Sequence, residues 1–336
     1  MRRRRALPDH AGGAPARVSG DTSEPQLTDG EAAALELLAA LDALDYAFTT
    51  VTPETHRRVV ARSTMREACD LRGVFGWSLP FRPEVVPHDI FALLKRARLL
   101  RETAAGWKAT VRASSVHGCL FLHSAFPTVA DDSVFLGPDT VRFADFILAE
   151  LGPGPRVKRM VDIGAGAGVG GIIAARHLGG AEVELVDINT SALSHARVNA
   201  AHAGVAVRTA VSDGVEAVAP GFDLAIANPP FIIDADGPVY RAGGDMHGAE
   251  LSRDWTLAAA GKLAPGGRVL LYTGSAIVNG RDALRVSLEE ALPRLGCAFR
   301  YRELDPDIFG EELEGPAYAE VERIAAVAAV VEKPSI

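Results

Sequence analysis

Cysteine is scarce in this sequence. Cys69, Cys119 and Cys297 are the only three in 336 residues, and they form no close pair. This usage suits a reducing compartment, and we predict a cytoplasmic location. Cysteine and histidine do not cluster at the spacing of metal ligands, so no metal ion is expected.

Long hydrophobic runs are missing as well. No stretch approaches the roughly 20 apolar residues that a membrane-spanning helix requires, and no membrane partner is predicted. The basic start Met1–Arg5 is not followed by the apolar stretch of a signal peptide. Residues 1–28 are rich in Arg, Gly, Pro and Ser without apolar periodicity, which predicts a disordered tail.

The remaining composition is that of a globular protein, with 48% apolar and 23% charged residues, and the length predicts about two domains. The net charge of −8 hides a basic segment. Between His56 and Arg112 there are twelve Lys/Arg and five Asp/Glu residues, a local charge of +7. Such a segment attracts phosphates or acidic partners. Arginine-rich helix surfaces also occur without any nucleic acid, so both interpretations stay open.

Residues 29–130 are predicted to form a mainly helical N-terminal domain. Thr28 and Glu31 have the spacing of a helix-capping box and precede a helical run over Ala32–Ala47. Asp89–Leu100 predicts a later amphipathic helix with a basic face. Two strand-like runs follow, Trp107–Arg112 and Gly118–His123. Helices followed by a β-hairpin are the order of a winged-helix-like module.

Residues 131–336 alternate short Val/Ile/Leu runs with longer helical stretches. This pattern predicts βαβ units and therefore an α/β domain with a doubly wound, mostly parallel sheet. The predicted strands are Met160–Ile163, Val183–Asp187, Val205–Ala210, Phe222–Ala227, Arg268–Tyr272, Ala298–Arg302 and Ile324–Val331.

A glycine-rich loop, residues 164–171, follows the first of these strands. Glycine lets the chain turn tightly and lets a ligand approach the backbone. Asp187, 19 residues beyond Gly168, ends the next strand, where a carboxylate binds the two hydroxyls of a ribose. The loop also fits the fingerprint G-x-G-x-x-G, so the glycines alone do not separate NAD from S-adenosylmethionine (SAM).

Three further features favour SAM. Asp162, two residues before the first glycine, suits a cationic, amine-bearing ligand better than a pyrophosphate. Ser212 and Asp213 follow the third strand, where an aspartate can accept a hydrogen bond from an adenine amino group. The fourth strand ends in a motif that NAD enzymes do not require.

That motif, Asn228-Pro229-Pro230-Phe231, is the most specific signal in the sequence. Two consecutive prolines cannot continue a central strand, so the chain must leave the sheet in a stiff turn. The turn fixes the Asn228 side chain and the Pro229 carbonyl as acceptors for the N–H groups of a planar amide or amine, whose lone pair then points at a methyl donor. Phe231 can stack on the same planar group. A purely structural Pro-Pro turn is the alternative.

These residues resemble the class I (Rossmann-like) SAM-dependent methyltransferases of the methyltransferase small domain type, over roughly residues 135–335. The resemblance implies a seven-stranded sheet whose last strand is antiparallel, with SAM over the carboxyl ends of the strands. The cofactor residues it implies are Asp162, Gly164, Ala165, Gly166 and Gly168 in the first motif, Asp187 and Ile188 at the ribose and adenine, Ser212 and Asp213 at the adenine edge, and Asn228 beside the methyl group.

The turn itself is similar to the N-P-P-[FYW] turn of methyltransferases acting on adenine N6, guanine N2 or the glutamine amide nitrogen. By this resemblance Asn228, Pro229, Pro230 and Phe231 form the catalytic turn, with Phe231 as the platform. Phenylalanine replaces the tyrosine often found there, which keeps the stacking surface but removes a hydroxyl.

Substrate residues are predicted on both sides of this turn. Pro138 and Thr140 lie in a segment that resembles the Pro-(Glu/Asp)-Thr element of protein-glutamine methyltransferases, although Gly137 stands where those enzymes carry Pro-Arg. A helix cap explains the same residues. Tyr240 and Arg241 lie in a long glycine-rich loop after the turn, a candidate wall for the acceptor.

The methyl acceptor stays open among a nucleobase, a protein glutamine and a small metabolite, and no oligomeric state is predicted. Two other functions fit parts of the pattern. One is a SAM-sensing nucleic-acid-binding module without catalysis, which needs no acceptor turn. The other is an NAD-dependent oxidoreductase, which a cofactor-binding test separates from the methyltransferase.

Overall fold

The structure is a computed structural model that describes residues 27–152, 157–233 and 243–335. The predicted disordered tail, apart from Leu27 and Thr28, lies outside the described residues, and so do the predicted substrate residues Tyr240 and Arg241. None of the helices in the described ranges is long and apolar enough to cross a membrane.

The N-terminal part begins with four helices: α1 (Asp29–Ala43), α2 (Pro53–Val60), α3 (Leu71–Phe75) and α4 (His88–Arg96). The predicted capping box is present, because Thr28 Oγ1 accepts from the backbone N–H of Glu31 and the Glu31 carboxylate accepts from the N–H of Thr28. The predicted helix to Leu100 ends earlier, since Arg98 has a left-handed backbone conformation (φ 58°) and Leu100 begins a strand.

Two β-hairpins follow these helices where one was predicted. Strand β1 (Leu100–Thr103) pairs with β2 (Gly106–Ala109), and β3 (Val111–Val116) pairs with β4 (Cys119–Ser124), both antiparallel. The predicted strand Trp107–Arg112 is therefore divided at Thr110, which belongs to neither hairpin. The predicted order of helices and then strands is otherwise observed.

The predicted α/β domain is confirmed. Its strands are β5 (Arg159–Ile163), β6 (Glu182–Asp187), β7 (Arg208–Val211), β8 (Phe222–Ala227), β9 (Leu263–Val278), β11 (Ala298–Asp305) and β12 (Arg323–Glu332), in the order β11-β12-β9-β8-β5-β6-β7. Six of them run in the same direction, and β12 alone among the seven lies antiparallel, between β9 and β11. A two-residue strand, β10 (Arg281–Asp282), folds back on the end of β9.

Helices cover both faces of this sheet: α5 (Pro138–Glu150), α6 (Val169–Leu178), α7 (Thr190–His202), α8 (Glu250–Lys262) and α9 (Ala283–Ala291). One buried cluster joins the sheet to α8 and α9, and the other joins it to α5 and α6. The central strand β8 contributes to both clusters, with Ala225 and Ala227 in the first and Leu224 and Ile226 in the second, because both faces of the sheet are covered.

The N-terminal part packs directly on the helices of the α/β domain. Phe121 of β4 and Ile172 of α6 lie fully buried in one shared apolar cluster. The buried side chain of Asn199, in α7, exchanges two hydrogen bonds with the backbone of Leu122 and donates a third to the carbonyl of Ala167 in the glycine loop. Strand β4 is thereby tied to the loop that the sequence assigns to the cofactor.

Candidate active site

The predicted site residues lie at the carboxyl ends of four neighbouring strands. Ile163 pairs with both Val186 and Ala227, and Asp187 pairs with Val211. The loops after β5, β6, β7 and β8 therefore lie side by side at one edge of the sheet, where open α/β sheets bind ligands. The fold brings together the glycine loop, Asp187, Asp213 and the Asn-Pro-Pro-Phe turn.

The glycine loop requires glycine at three positions. Gly164, Gly166 and Gly168 have φ values of +66°, +54° and +78°, a region that other residues enter only with strain. Gly168 is the N-cap of α6, so the loop leads straight into a helix N-terminus. A Cβ added at Gly166 would meet no atom within 4 Å, so a ligand can approach this part of the backbone closely.

Asp162 lies beneath the loop with only 1% of its surface exposed. Its Oδ2 accepts a hydrogen bond from the backbone N–H of Gly171 at 2.7 Å, in the first turn of α6. Burial raises the pKa of this carboxyl to about 7, although the hydrogen bond from the Gly171 N–H lowers it in part. The observed contact of Asp162 is internal, and its predicted contact with the cofactor stays a prediction.

Asp187 holds the glycine loop from the neighbouring strand. Its Oδ2 accepts from the N–H of Gly166 and its Oδ1 from the N–H of Asn189, both at 2.9 Å. Burial raises the pKa of this carboxyl, and the backbone donors lower it. Each carboxylate oxygen has a second lone pair, so a ribose hydroxyl can still bind there.

Apolar side chains are exposed beside this carboxylate. Ile188 is 50% exposed and Val211 is 59% exposed, at the ends of β6 and β7. Ser212 is buried, and its hydroxyl is used within its own turn, donating to the carbonyl of Gly214 and accepting from the N–H of Ala217. Asp213 is exposed. The arrangement offers an apolar surface and a carboxylate to a planar ring.

The Asn-Pro-Pro-Phe turn leaves the sheet as expected, because β8 ends at Ala227 and Asn228 starts the turn. The Oδ1 atom of Asn228 is buried, yet it accepts no hydrogen bond from any residue that the structure describes. Buried polar groups are nearly always paired, and an unpaired acceptor costs about 1–3 kcal/mol. An acceptor of this kind is suited to an N–H donor on a bound molecule.

Phe231 is held firmly at the end of this turn. Its ring lies against Gly274 of β9, where an added Cβ would come within 2.3 Å of it. It also meets Phe309 edge to face, at 5.4 Å between ring centres. The ring is half-buried, so part of it remains accessible to a planar group.

Trp255, in α8, is a residue of this region that the sequence analysis missed. Its indole lies against two glycines of the predicted cofactor loops: an added Cβ would come within 2.7 Å of it at Gly164 and within 2.9 Å at Gly214. Trp255 therefore supports both loops from the α8 side. No motif surrounds it, and only its contacts in the fold reveal this role.

Pro138 and Thr140 lie in the first turn of α5, where Thr140 Oγ1 accepts from the N–H of Gly137. This contact is the capping arrangement considered above, so these residues have a structural role here, and their predicted contact with a substrate stays a prediction. Asp139 between them is buried and accepts from the hydroxyl of Tyr272 in β9 at 2.8 Å. Burial raises the pKa values of both Asp139 and Tyr272.

Residues 130–274, which contain every part of this site, match the family model described as "Methyltransferase small domain". This stretch of the chain is similar to methyltransferase small domains. The predicted relationship to class I methyltransferases is thereby confirmed, and the cofactor expected of this domain is SAM. Among the described residues, no three His, Cys, Asp or Glu side chains are grouped so that they hold a metal ion.

Curated relatives match mainly this domain. The chain is 30% identical over 164 residues to the release factor glutamine methyltransferase of Deinococcus radiodurans, covering 46% of this chain and 55% of that protein. It is 43% identical over 74 residues to the ribosomal RNA small subunit methyltransferase C of Hahella chejuensis, covering 22% of each chain. The chain thus spans about half the length of the first relative and about a fifth of the second.

A longer match, 27% identical over 282 residues, links the chain to the release factor glutamine methyltransferase of Moorella thermoacetica, with 77% of this chain and 94% of that protein covered. Among solved structures, a methyltransferase from Pyrococcus furiosus is 18% identical, with a TM-score of 0.41 and coverage of 62% of this chain and 91% of that one.

Proposed function

We propose that this chain is a SAM-dependent N-methyltransferase that acts on a planar amide or exocyclic amino nitrogen. The observation that carries the proposal is the buried Oδ1 of Asn228, which accepts no hydrogen bond from the described residues. It starts the turn after β8, beside the glycine loop after β5. An N–H donor bound to it would lie close to the glycine loop, where we propose that the methyl donor binds.

The residues present fit SAM at this edge of the sheet. Asp187 would bind the ribose hydroxyls, and the exposed apolar side chains Ile188 and Val211 would contact the adenine. The open backbone at Gly166 leaves room for the rest of the molecule. Bound SAM would supply an electrophilic methyl group.

The chemistry left to the protein is orientation of the nitrogen. An amide or aromatic amine is a poor nucleophile because its lone pair is delocalised into the π system. Two fixed acceptors, Asn228 Oδ1 and the Pro229 carbonyl, would take its two N–H groups and favour the charge that builds on nitrogen. Phe231, fixed by Gly274 and Phe309, would stack on the acceptor's plane. No catalytic base is required, since the proton can leave to water after transfer.

The relatives' names support two acceptor classes, the glutamine of a release factor and ribosomal RNA. The glutamine amide and the exocyclic amino groups of RNA bases each present a planar nitrogen bearing two N–H groups, which fits the same turn. A location in the cytoplasm is consistent with Cys69, Cys119 and Cys297, all of which are free.

The test is the variant Asn228→Ala, assayed with labelled SAM against structured RNA, release-factor peptides and small amines. We expect calorimetric SAM affinity close to that of the wild type and turnover lower by about 100-fold or more, the scale of losing a positioned charge-stabilising group. The matched control Asn228→Asp keeps an acceptor oxygen and should retain more turnover than the alanine variant. Unchanged turnover in Asn228→Ala would remove this mechanism, and affinity for NAD without affinity for SAM would replace it with an oxidoreductase.

A further inference from the structure

A cavity of about 540 Å³ lies in the N-terminal part of the chain, outside the site described above. It is formed by the end of α2 and the residues after it, by residues 77–80, by Lys108 and by Phe126-Pro127. Its volume is in the range of pockets that hold small molecules or single units of a polymer.

The charge of this cavity is positive. Arg62, Arg66 and Lys108 line it, and no Asp or Glu does. Neither Arg62 nor Arg66 forms an ion pair with a carboxylate within the described ranges, whereas Arg57 and Arg58, on the neighbouring helix α2, both pair with Glu54. On a chain with a net charge of −8, this local excess of positive charge would attract an anion.

The cavity also presents aromatic rings whose orientation is fixed. Trp77 meets Phe48 edge to face at 5.2 Å. Phe126 is stacked on His56, with 4.1 Å between ring centres and 25° between planes. His56 is fully buried, and its Nε2 lies 3.0 Å from the carbonyl of Trp77. Rings held in this way can stack on a base at little entropic cost.

A short segment joins the cavity to the methyltransferase site. From Pro127 at the cavity, five residues lead to Asp132, whose carbonyl accepts from the side chain of Asn189 at 3.0 Å. Asn189 in turn contacts Asp187 through its backbone N–H. Five residues span at most about 18 Å. A few nucleotides of extended single strand would therefore reach from the cavity to the Asp187 loop.

We propose that this cavity binds one nucleotide of a single-stranded nucleic acid, with phosphate at Arg62 and Arg66 and base against Trp77 and Phe126, while a neighbouring base of the same strand is presented to Asn228. The inference rests on the proposed function, whose acceptor class it narrows to a nucleobase. Cationic and aromatic side chains without acidic ones are the combination that single-stranded nucleic acids require. An acidic peptide would use the cations but not the rings.

The test is binding, measured without SAM so that it does not depend on catalysis. A fluorescein-labelled 12-nucleotide single-stranded RNA of mixed sequence is titrated with the full chain at several salt concentrations, and its anisotropy is recorded. We expect the double variant Arg62→Ser/Arg66→Ser to bind at least about 10-fold more weakly, with a salt slope smaller by about 1–2, because two phosphate contacts are lost.

The matched control is Arg57→Ser/Arg58→Ser, which removes the same charge a few residues earlier in the chain. It should bind within about 2-fold of the wild type, since both arginines already pair with Glu54. Because all four arginines are exposed, both double variants should fold, which thermal melting verifies. Stacking has its own readout: RNA should quench tryptophan fluorescence in the wild type and much less in Trp77→Phe.

Equal losses of RNA affinity in the two double variants would overturn the proposal. Binding would then depend on the overall positive charge of this region and not on the cavity. The absence of RNA binding by the wild type at low salt would overturn it as well, without affecting the proposed methyl transfer. Turnover on a release-factor peptide that is unchanged in Arg62→Ser/Arg66→Ser would support a protein acceptor instead. Single-stranded DNA of the same sequence, titrated alongside, identifies which nucleic acid the cavity prefers.

Discussion

The glycine loop and the Asn-Pro-Pro-Phe turn lie at the same edge of the sheet but differ in how their polar groups are satisfied. In the loop region, Asp162 accepts from the N–H of Gly171, and Asp187 accepts from the N–H groups of Gly166 and Asn189. In the turn, the buried Oδ1 of Asn228 accepts nothing from the described residues. The chain organises its predicted cofactor loop by itself, whereas the turn keeps a buried acceptor to which no described residue donates.

The largest effect on the unfolding free energy is expected at Asp162, the carboxyl group buried beneath the glycine loop. The raised pKa of Asp162, about 7, means that its contribution to stability is complete below the unfolded-state pKa of 3.8 and is lost as the pH rises through 7. Asp162→Asn keeps an oxygen for the N–H of Gly171 and cannot ionise. Between pH 4 and pH 8 the wild type should therefore lose up to about 4 kcal/mol more unfolding free energy than the variant. Urea denaturation at several pH values measures this, and a difference independent of pH would contradict it.

A smaller loss is expected when the acceptor on β6 is removed. Asp187→Ala should weaken SAM binding by about 1.5–3 kcal/mol, the range for hydrogen bonds to a charged group, as measured by calorimetric titration. It also leaves the N–H groups of Gly166 and Asn189 without their acceptor, so the melting temperature should fall. Asp187→Asn, which retains one side-chain oxygen, serves as the control and should lose less of both. Wild-type SAM affinity in Asp187→Ala would show that the ribose lies elsewhere.

Trp255 allows a comparison within the loop. Gly164→Ala and Gly166→Ala both place a Cβ at positive φ, which costs about 1–2 kcal/mol. Only the Cβ at position 164 meets the indole, at 2.7 Å, while the one at position 166 has open space. We expect Gly164→Ala to lose about 1–3 kcal/mol more unfolding free energy than Gly166→Ala, the usual cost of overpacking. Equal losses would mean that the indole moves aside freely.

The smallest effect on the unfolding free energy is expected in the Asn-Pro-Pro-Phe turn, where a substitution should not destabilise the fold. Because Asn228 Oδ1 is buried without a partner, Asn228→Ala should leave the unfolding free energy unchanged or raise it by up to about 2 kcal/mol. Urea denaturation of the ligand-free chain tests this. A clear destabilisation would show that Asn228 supports the fold, and the contrast between the two regions would disappear.

The sequence predicted the sheet well because its signals are local. Alternating apolar runs marked the strands, and Phe222–Ala227 was predicted with its observed limits. Strand β9 was predicted as Arg268–Tyr272 but extends from Leu263 to Val278. The ten residues of β12 pair with residues 268–277 and so extend it beyond Tyr272, while Leu263 pairs with Phe222 of β8. A long partner strand that comes some 50 residues later leaves no mark on the segment it extends.

The site was only partly accessible to the same reasoning. Motifs located the Asn-Pro-Pro-Phe turn and the acid at Asp187, since spacing along the chain carries that information. The support by Trp255 depends on packing between elements distant in sequence, which no motif records. The bond of Asp162 to Gly171 spans only nine residues, but it depends on how the glycine loop folds back onto β5. The cavity is a similar case, because its lining combines residues near positions 62, 77, 108 and 126.

The position of β12 has a consequence for how the protein is made. β12 pairs with β9 on one side and β11 on the other, and in the described sheet β9 and β11 are not neighbours. During synthesis β11 therefore emerges before β12, its partner strand. Until β12 follows, the edge of β9 that faces away from β8 has no partner strand. Unpaired edges of this kind bind other chains. The sheet closes only after residue 332 has left the ribosome, so the nascent chain stays exposed to aggregation until that point.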